Sequence, residues 1–301
     1  MRRIGLAVVL AVGLAFASLA AWAQPSAKTA KIGFVNIQSA SLVAVNITAL
    51  RDGLRQLGYI EGQNIAIEYR FADGRLDRLP DLTADLLRAQ VQVLIVGGTT
   101  PAQAVKKSTL TVPIVFVGAS DPIEAGLVVS FARPGGNATG LSTAHEDGFA
   151  GKWVELLREV ATTAVRVAVI HNPGNPSNVR YWRDIQAAAH GLRVRSLEVR
   201  TVEGLDRVLM ALAQEHNDGL IVASDPLLFA HRTRIVEAAN QQKLAAVYGF
   251  REFVESGGLL SYGANVREMY RRAATYVDKI LQGRQARRPA RRAAYQVRVG
   301  D

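Results

Sequence analysis

Apolar residues along this chain fall into two patterns, short unbroken runs and longer stretches at helical spacing. The runs at 93–96 and 114–117 are continuous Val, Ile, Leu and Phe, as expected of strands covered on both faces in a parallel sheet. Each ends in small and hydroxyl residues before a proline: Gly97-Gly98-Thr99-Thr100-Pro101 and Gly118-Ala119-Ser120-Asp121-Pro122. The first of these predicts a helix start, with Thr99 or Thr100 as N-cap and Pro101 in the first helical position. Free N–H groups at such a helix end face the crevice beyond the strand's carboxyl end, where open α/β sheets bind ligands.

The same alternation runs through the rest of the chain. A strand at 31–35 and a loop at 36–41 precede a helix carrying Leu42, Val45, Leu50, Leu54 and Leu57, which stops at Gly58. A strand at 65–69, a helix at 76–89 and a short helix at 102–108 complete the first series, and 138–142 reads as a connecting strand after the turn cluster at 133–137. The second series predicts helices at 149–160, 179–189, 205–213, 229–241 and 267–281. Its strands fall at 165–170, 194–199, 219–223, 245–248 and 258–262. The fold class is therefore α/β: two Rossmann-like lobes with parallel sheets, joined by a hinge. Ala119-Ser120-Asp121-Pro122 and Ala223-Ser224-Asp225-Pro226 are near-copies, one in each half, and suggest lobes whose strand ends face each other.

Composition changes this picture little. At 301 residues, 49% hydrophobic and 21% charged, the chain has the make-up of an ordinary globular protein of two modest cores. It contains no cysteine, so neither a disulfide framework nor a thiolate metal site is available. Met1-Arg2-Arg3, the apolar stretch 4–20 and Ala21-Trp22-Ala23 predict a cleaved signal peptide over 1–23, a linker over 24–30 and a periplasmic product. The net charge of +10 is mostly peripheral: segment 284–301 contributes +5 and Arg2 with Arg3 contribute +2, leaving +3. Nucleic acid is therefore not an expected partner.

Several stretches in order carry a family resemblance. These are 97–101, 113–117 with Ser120-Asp121-Pro122, Gly126-Leu127-Val128, the turn Arg133-Pro134-Gly135-Gly136-Asn137, Gly257-Gly258-Leu259-Leu260-Ser261-Tyr262-Gly263, and 274–283. From 31 to 283 the chain resembles the ABC-transporter substrate-binding proteins of periplasmic-binding-protein type I fold, in the branch with tryptophan- and tyrosine-binding members. The resemblance implies lobes of 31–142 with 263–283 and of 143–262, closing on a small amino-acid-like ligand and docking on an inner-membrane ABC permease as a monomer. After Gly283 it stops. Back-translated with permitted codons and read one base later, 284–301 becomes the usual family tail, Ala-Lys-Pro-Ala-Asp-Leu-Pro-Val-Glu-Gln-Pro-Thr-Lys-Phe-Glu-Leu-Val-Ile. The expectation is a frameshift near codon 284 that leaves an aberrant basic tail, an incomplete C-terminal segment and an unpaired sheet edge. Resequencing across that codon tests it.

An amino-acid-like ligand needs donors for its carboxylate and acceptors for its ammonium. Candidates in the first lobe are Asn36, Gln38, Ser39, Thr99, Thr100, Ser120 and Asp121, with Asp121 placed to pair with the ammonium. The equivalent strand ends in the second lobe offer Asn172, Asn175, Ser224, Asp225 and Tyr248, and Tyr262 or Phe250 would stack on an apolar ligand or serve the core. The same residues also suit helix capping. The five histidines are scattered without a His-x-x-x-His pair, and no cofactor motif or nucleophile elbow is present. The reading is a binding protein rather than an enzyme, with a sensor lobe for a membrane receptor as alternative and a hydrolase using Asp121 with Asp225 as the lesser one.

Overall fold

The computed structural model describes residues 29–143, 150–283 and 295–300. The expected signal peptide, most of the linker, and the tail at 284–294 with Asp301 lie outside the described residues. Among those described, no helix is long and apolar enough to cross a membrane.

The first lobe contains β1 (Ala30–Asn36), α1 (Ala40–Gln56), β2 (Ile65–Phe71), α2 (Leu79–Arg88), β3 (Val93–Gly97), α3 (Thr99–Ser108), β4 (Ile114–Ala119) and β5 (Ala138–Ser142). Its five strands form one parallel sheet in the order β2-β1-β3-β4-β5. Successive residues of β3 face opposite cores. Val93 and Ile95 pack with α1, whereas Leu94 and Val96 pack with α2 and α3. An unbroken apolar run is what this two-sided burial requires.

The second lobe contains α4 (Gly151–Val160), β6 (Arg166–His171), α5 (Pro176–Ala188), β7 (Arg193–Glu198), α6 (Val202–Gln214), β8 (Gly219–Val222), α7 (Pro226–Ala230), α8 (Arg232–Gln241), β9 (Ala245–Tyr248), α9 (Arg251–Glu255) and β10 (Leu260–Ala264). Its parallel strands run β7-β6-β8-β9-β10, the same winding as the first sheet. From β10 the chain crosses back as α10 (Val266–Leu281), whose Met269, Tyr270, Ala273, Ala274 and Val277 complete the first lobe's core against α1. The two helices cross closely at Gly53, where a Cβ would lie 2.2 Å from the Arg271 carbonyl oxygen.

The structure revises several expectations. The start of α3 is capped by Gly98 at φ 86°, so Thr99 is the first helical residue and neither threonine is the cap. The expected helix at 229–241 is two helices broken at His231, because Asp225 and Pro226 start one earlier. The strand expected at 258–262 begins only at Leu260, since Gly258 packs on the Tyr248 ring and a Cβ there would fall 2.6 Å from it. The near-copies are not counterparts: Ser120-Asp121 follows β4, whereas Ser224-Asp225 follows β8, whose place in the winding is that of β3. The edge beside β10 is also paired, by antiparallel β11 (Tyr295–Val299), with Leu260 opposite Val299 and Ala264 opposite Tyr295. Ladder bonds use the backbone, so a short alternating segment such as Tyr-Gln-Val-Arg-Val suffices to occupy an edge.

Candidate functional site

The carboxyl ends of both sheets face each other across a cleft, and a cavity of about 100 Å³ lies between them. That is several times the roughly 10–15 Å³ needed to hold a single water, room for a small organic molecule. The lobes are bonded across the cleft around this cavity. Gln38 donates Nε2 to the Pro226 carbonyl at 3.3 Å, Tyr181 donates its hydroxyl to Ser120 Oγ at 3.1 Å, and Thr99 Oγ1 lies 3.4 Å from Ser177 Oγ. Farther out, Arg180 Nη1 donates to Asp121 Oδ2 at 2.8 Å.

Six of the polar sequence candidates reach the cavity wall: Asn36, Gln38, Thr99, Ser120, Asn175 and Ser224. Thr99 sits there because Gly98 turns the chain with a positive φ at the end of β3, and its hydroxyl accepts the Ser120 N–H at 3.0 Å. Asn36, at the end of β1, donates Nδ2 to the Tyr270 hydroxyl at 3.2 Å and accepts the Gln38 N–H at 3.0 Å. Gly97 makes room for that pair, since a Cβ on it would lie 2.3 Å from Tyr270 Oη. Burial pushes the Tyr270 hydroxyl upward in pKa and the Tyr181 hydroxyl up to about 12, so both act as neutral hydrogen-bonding groups.

The remaining candidates lie elsewhere. Ser39 precedes α1 with its hydroxyl 3.1 Å from Ser41 Oγ, and Thr100 is off the wall on the first turn of α3. Asp121 is held by Arg180 across the lobes, so its expected role toward an ammonium is replaced by an interlobe ion pair. Asp225 is 2% exposed and accepts four hydrogen bonds, from the N–H groups of Leu227 and Leu228 and from Asn172 and Asn175 Nδ2. It caps α7 and braces the two asparagines, and burial raises its pKa against the pull of those donors. Tyr248 is fully buried and stacked on Phe253 at 4.9 Å, a core residue of the second lobe. Tyr262 packs beside the α4 core, its carbonyl accepting Trp153 Nε1 at 2.7 Å. Asp121 and Asp225 are thus engaged separately and neither lines the cavity, which removes the arrangement a hydrolase reading required.

The structure also places Phe250, named above for stacking, on the cavity wall, and it brings in Phe229 and Glu252, which the sequence did not single out. Phe229 and Phe250 meet edge to face at 5.6 Å and form an aromatic wall with Val43. Glu252, on α9, faces the same space, and burial raises its pKa. Phe250 and Glu252 follow β9, and a strand-end rule applied to that loop finds them. Tyr270 and Tyr181 lie mid-helix with no local signal of their role. Among the described residues no group of three or more His, Cys, Asp or Glu is placed to hold a metal ion.

This geometry matches known proteins. Residues 31–297 match the family model described as ABC transporter substrate binding protein. The tyrosine-binding protein of Clostridioides difficile (strain R20291) is 24% identical over 233 residues, covering 77% of this chain and 66% of that protein's length. A crystal structure of a conserved domain protein from Vibrio cholerae O1 biovar eltor has a TM-score of 0.83 at 27% identity, covering 90% of this chain and 92% of that one. An ABC domain from Streptococcus pneumonia, solved in complex with L-Trp, has a TM-score of 0.82 at 21% identity with the same coverage. Two parallel sheets of one winding, a cavity between their carboxyl ends and a family match over 31–297 agree: the chain belongs to the ABC transporter substrate-binding protein family.

Proposed function

We propose that this protein is the extracytoplasmic solute-binding component of an ABC importer, capturing one amino-acid-like molecule between its lobes and presenting it to an inner-membrane permease. The observation that carries this reading is the interlobe cavity, which combines an aromatic wall of Phe229 and Phe250 with a ring of amides and hydroxyls. Asn36, Gln38, Thr99, Ser120, Asn175 and Ser224 are its proposed polar contacts. The first turn of α3 supplies N–H groups suited to a carboxylate. The lobes, 31–142 with 263–283 and 143–262, open and close about the connections after β5 and β10, so affinity includes the cost of populating the closed state.

The relatives that bind tyrosine and tryptophan point to aromatic amino acids first. A thermal-shift panel of L-tyrosine, L-tryptophan, L-phenylalanine and L-leucine tests this, because a ligand of the native state alone raises the melting temperature. A concentration-dependent rise with at least one aromatic amino acid is expected. No rise with any of the four at millimolar concentration would remove the reading.

A further inference from the structure

Among the described residues lining the cavity, Glu252 bears the one formally charged side chain; no lysine, arginine, histidine or aspartate reaches that wall. Most other polar side chains on the wall, Asn46 apart, are already engaged. Asn36 is shared between Tyr270 and the Gln38 N–H, and Asn175 between Asp225 and the Ser177 N–H. The Ser120 hydroxyl lies between Thr143 and Tyr181, and the Ser224 hydroxyl donates to the Gly249 carbonyl. The Glu252 carboxylate, by contrast, has no side-chain partner among the described residues and meets only its own backbone N–H. The adjacent Arg251 is drawn away to Glu255 at 2.9 Å.

A carboxylate on a partly aromatic cavity wall with no direct ion pair is costly, and a cation entering the cavity offsets that cost. The carboxylate of a zwitterion, in contrast, finds only neutral donors here. We propose that Glu252 is the specificity-determining residue of the cavity, selecting ligands that carry a protonated amine and making that amine count for more than the ligand's carboxylate. The proposal rests on the reading of the cavity as an amino-acid site.

The charged groups around Glu252 give a second readout. Burial raises its pKa, Glu255 pushes it further up, and Arg251 with Arg267 of α10 hold it down. An ammonium ligand selects the ionised carboxylate. Its affinity therefore rises as pH climbs above the ordinary glutamate range and Glu252 deprotonates, while that of a ligand without an amine does not.

Calorimetric titration of wild type and Glu252→Gln with L-tryptophan, tryptamine and indole-3-propanoate tests the proposal. Wild type is expected to bind tryptamine at least about ten-fold more tightly than indole-3-propanoate. Glu252→Gln is expected to lose about ten-fold or more for both amines, to keep its affinity for the propanoate and to lose the pH dependence. Indole-3-propanoate binding wild type as tightly as tryptamine needs no variant and overturns the proposal. So does a folded Glu252→Gln that binds L-tryptophan like wild type. In either case, tight binding of L-tryptophan by wild type leaves the amino-acid reading standing. Binding of none of the three by wild type overturns the proposal, and the amino-acid reading falls with it only if no amino acid of the thermal-shift panel raises the melting temperature.

Discussion

Arg180 of the second lobe and Asp121 of the first meet at 2.8 Å, and this ion pair spans the cleft outside the cavity. The two side chains are 25% and 20% exposed, so water screens the pair only partly. Together with the Tyr181–Ser120 bond it favours the closed arrangement whether or not ligand is present. Such a latch is worth roughly 0.5–1 kcal/mol. We expect Arg180→Ala to weaken ligand affinity about two- to five-fold by depopulating the closed state, with a larger radius of gyration in solution scattering. The wild-type advantage should shrink at high salt. Unchanged affinity together with unchanged scattering would dismiss the latch.

Gly97 and Tyr270 make a second cross-element pair. A methyl group on Gly97 would sit 2.3 Å from the Tyr270 hydroxyl oxygen, while the next ring atom is 3.6 Å away. Gly97→Ala should therefore destabilise by about 1–3 kcal/mol through overpacking. Adding Tyr270→Phe removes the clashing atom, and the double variant should recover part of the loss. Strict additivity in chemical denaturation would show that the hydroxyl is not the obstacle.

His171 contributes to the pH dependence of folding. Its ring stacks on Trp182 at 5.5 Å, Nε2 lies 2.7 Å from Ser196 Oγ, and Nδ1 is buried with no hydrogen-bond partner. Burial lowers its pKa below the ordinary 6.5, against an upward pull from Glu198. The unfolded chain therefore binds a proton first as pH falls. The stability held above about pH 6.5 is lost as pH drops through that value toward the folded one. Melting curves between pH 7 and pH 5 should slope less in His171→Gln than in wild type; parallel slopes would place the titrating group elsewhere.

The last strand makes a prediction about the edge of the second sheet. A chain ending before Tyr295 leaves the outer edge of β10, from Leu260 to Ala264, unpaired. The melting temperature should fall by roughly 2–4 °C for each kcal/mol of ladder lost, and the exposed edge should promote self-association. An unchanged melting temperature and a monomeric elution profile would show that β11 contributes nothing to stability.

The apolar runs at 93–96 and 114–117 announced buried parallel strands because burial on both faces leaves no room for alternation, and that rule is local. Strand–helix alternation likewise made the two lobes legible, and the strand ends pointed to Asn36, Gln38, Thr99, Ser120, Asn175 and Ser224 on the cavity wall. What residue order left open was which polar groups are consumed by the protein itself. Asp121 and Asp225 read alike in the chain, yet one meets an arginine from the opposite lobe and the other is buried under four donors. Glu252 reads as an ordinary surface residue, and Tyr270 as one of the apolar positions of an amphipathic helix, until α10 crosses back to bring the tyrosine beside Asn36. Pattern and propensity act within a few residues, whereas the partner of a buried polar group is chosen by packing between elements far apart in the chain, 50 residues for Asn175 and Asp225 and 234 for Asn36 and Tyr270.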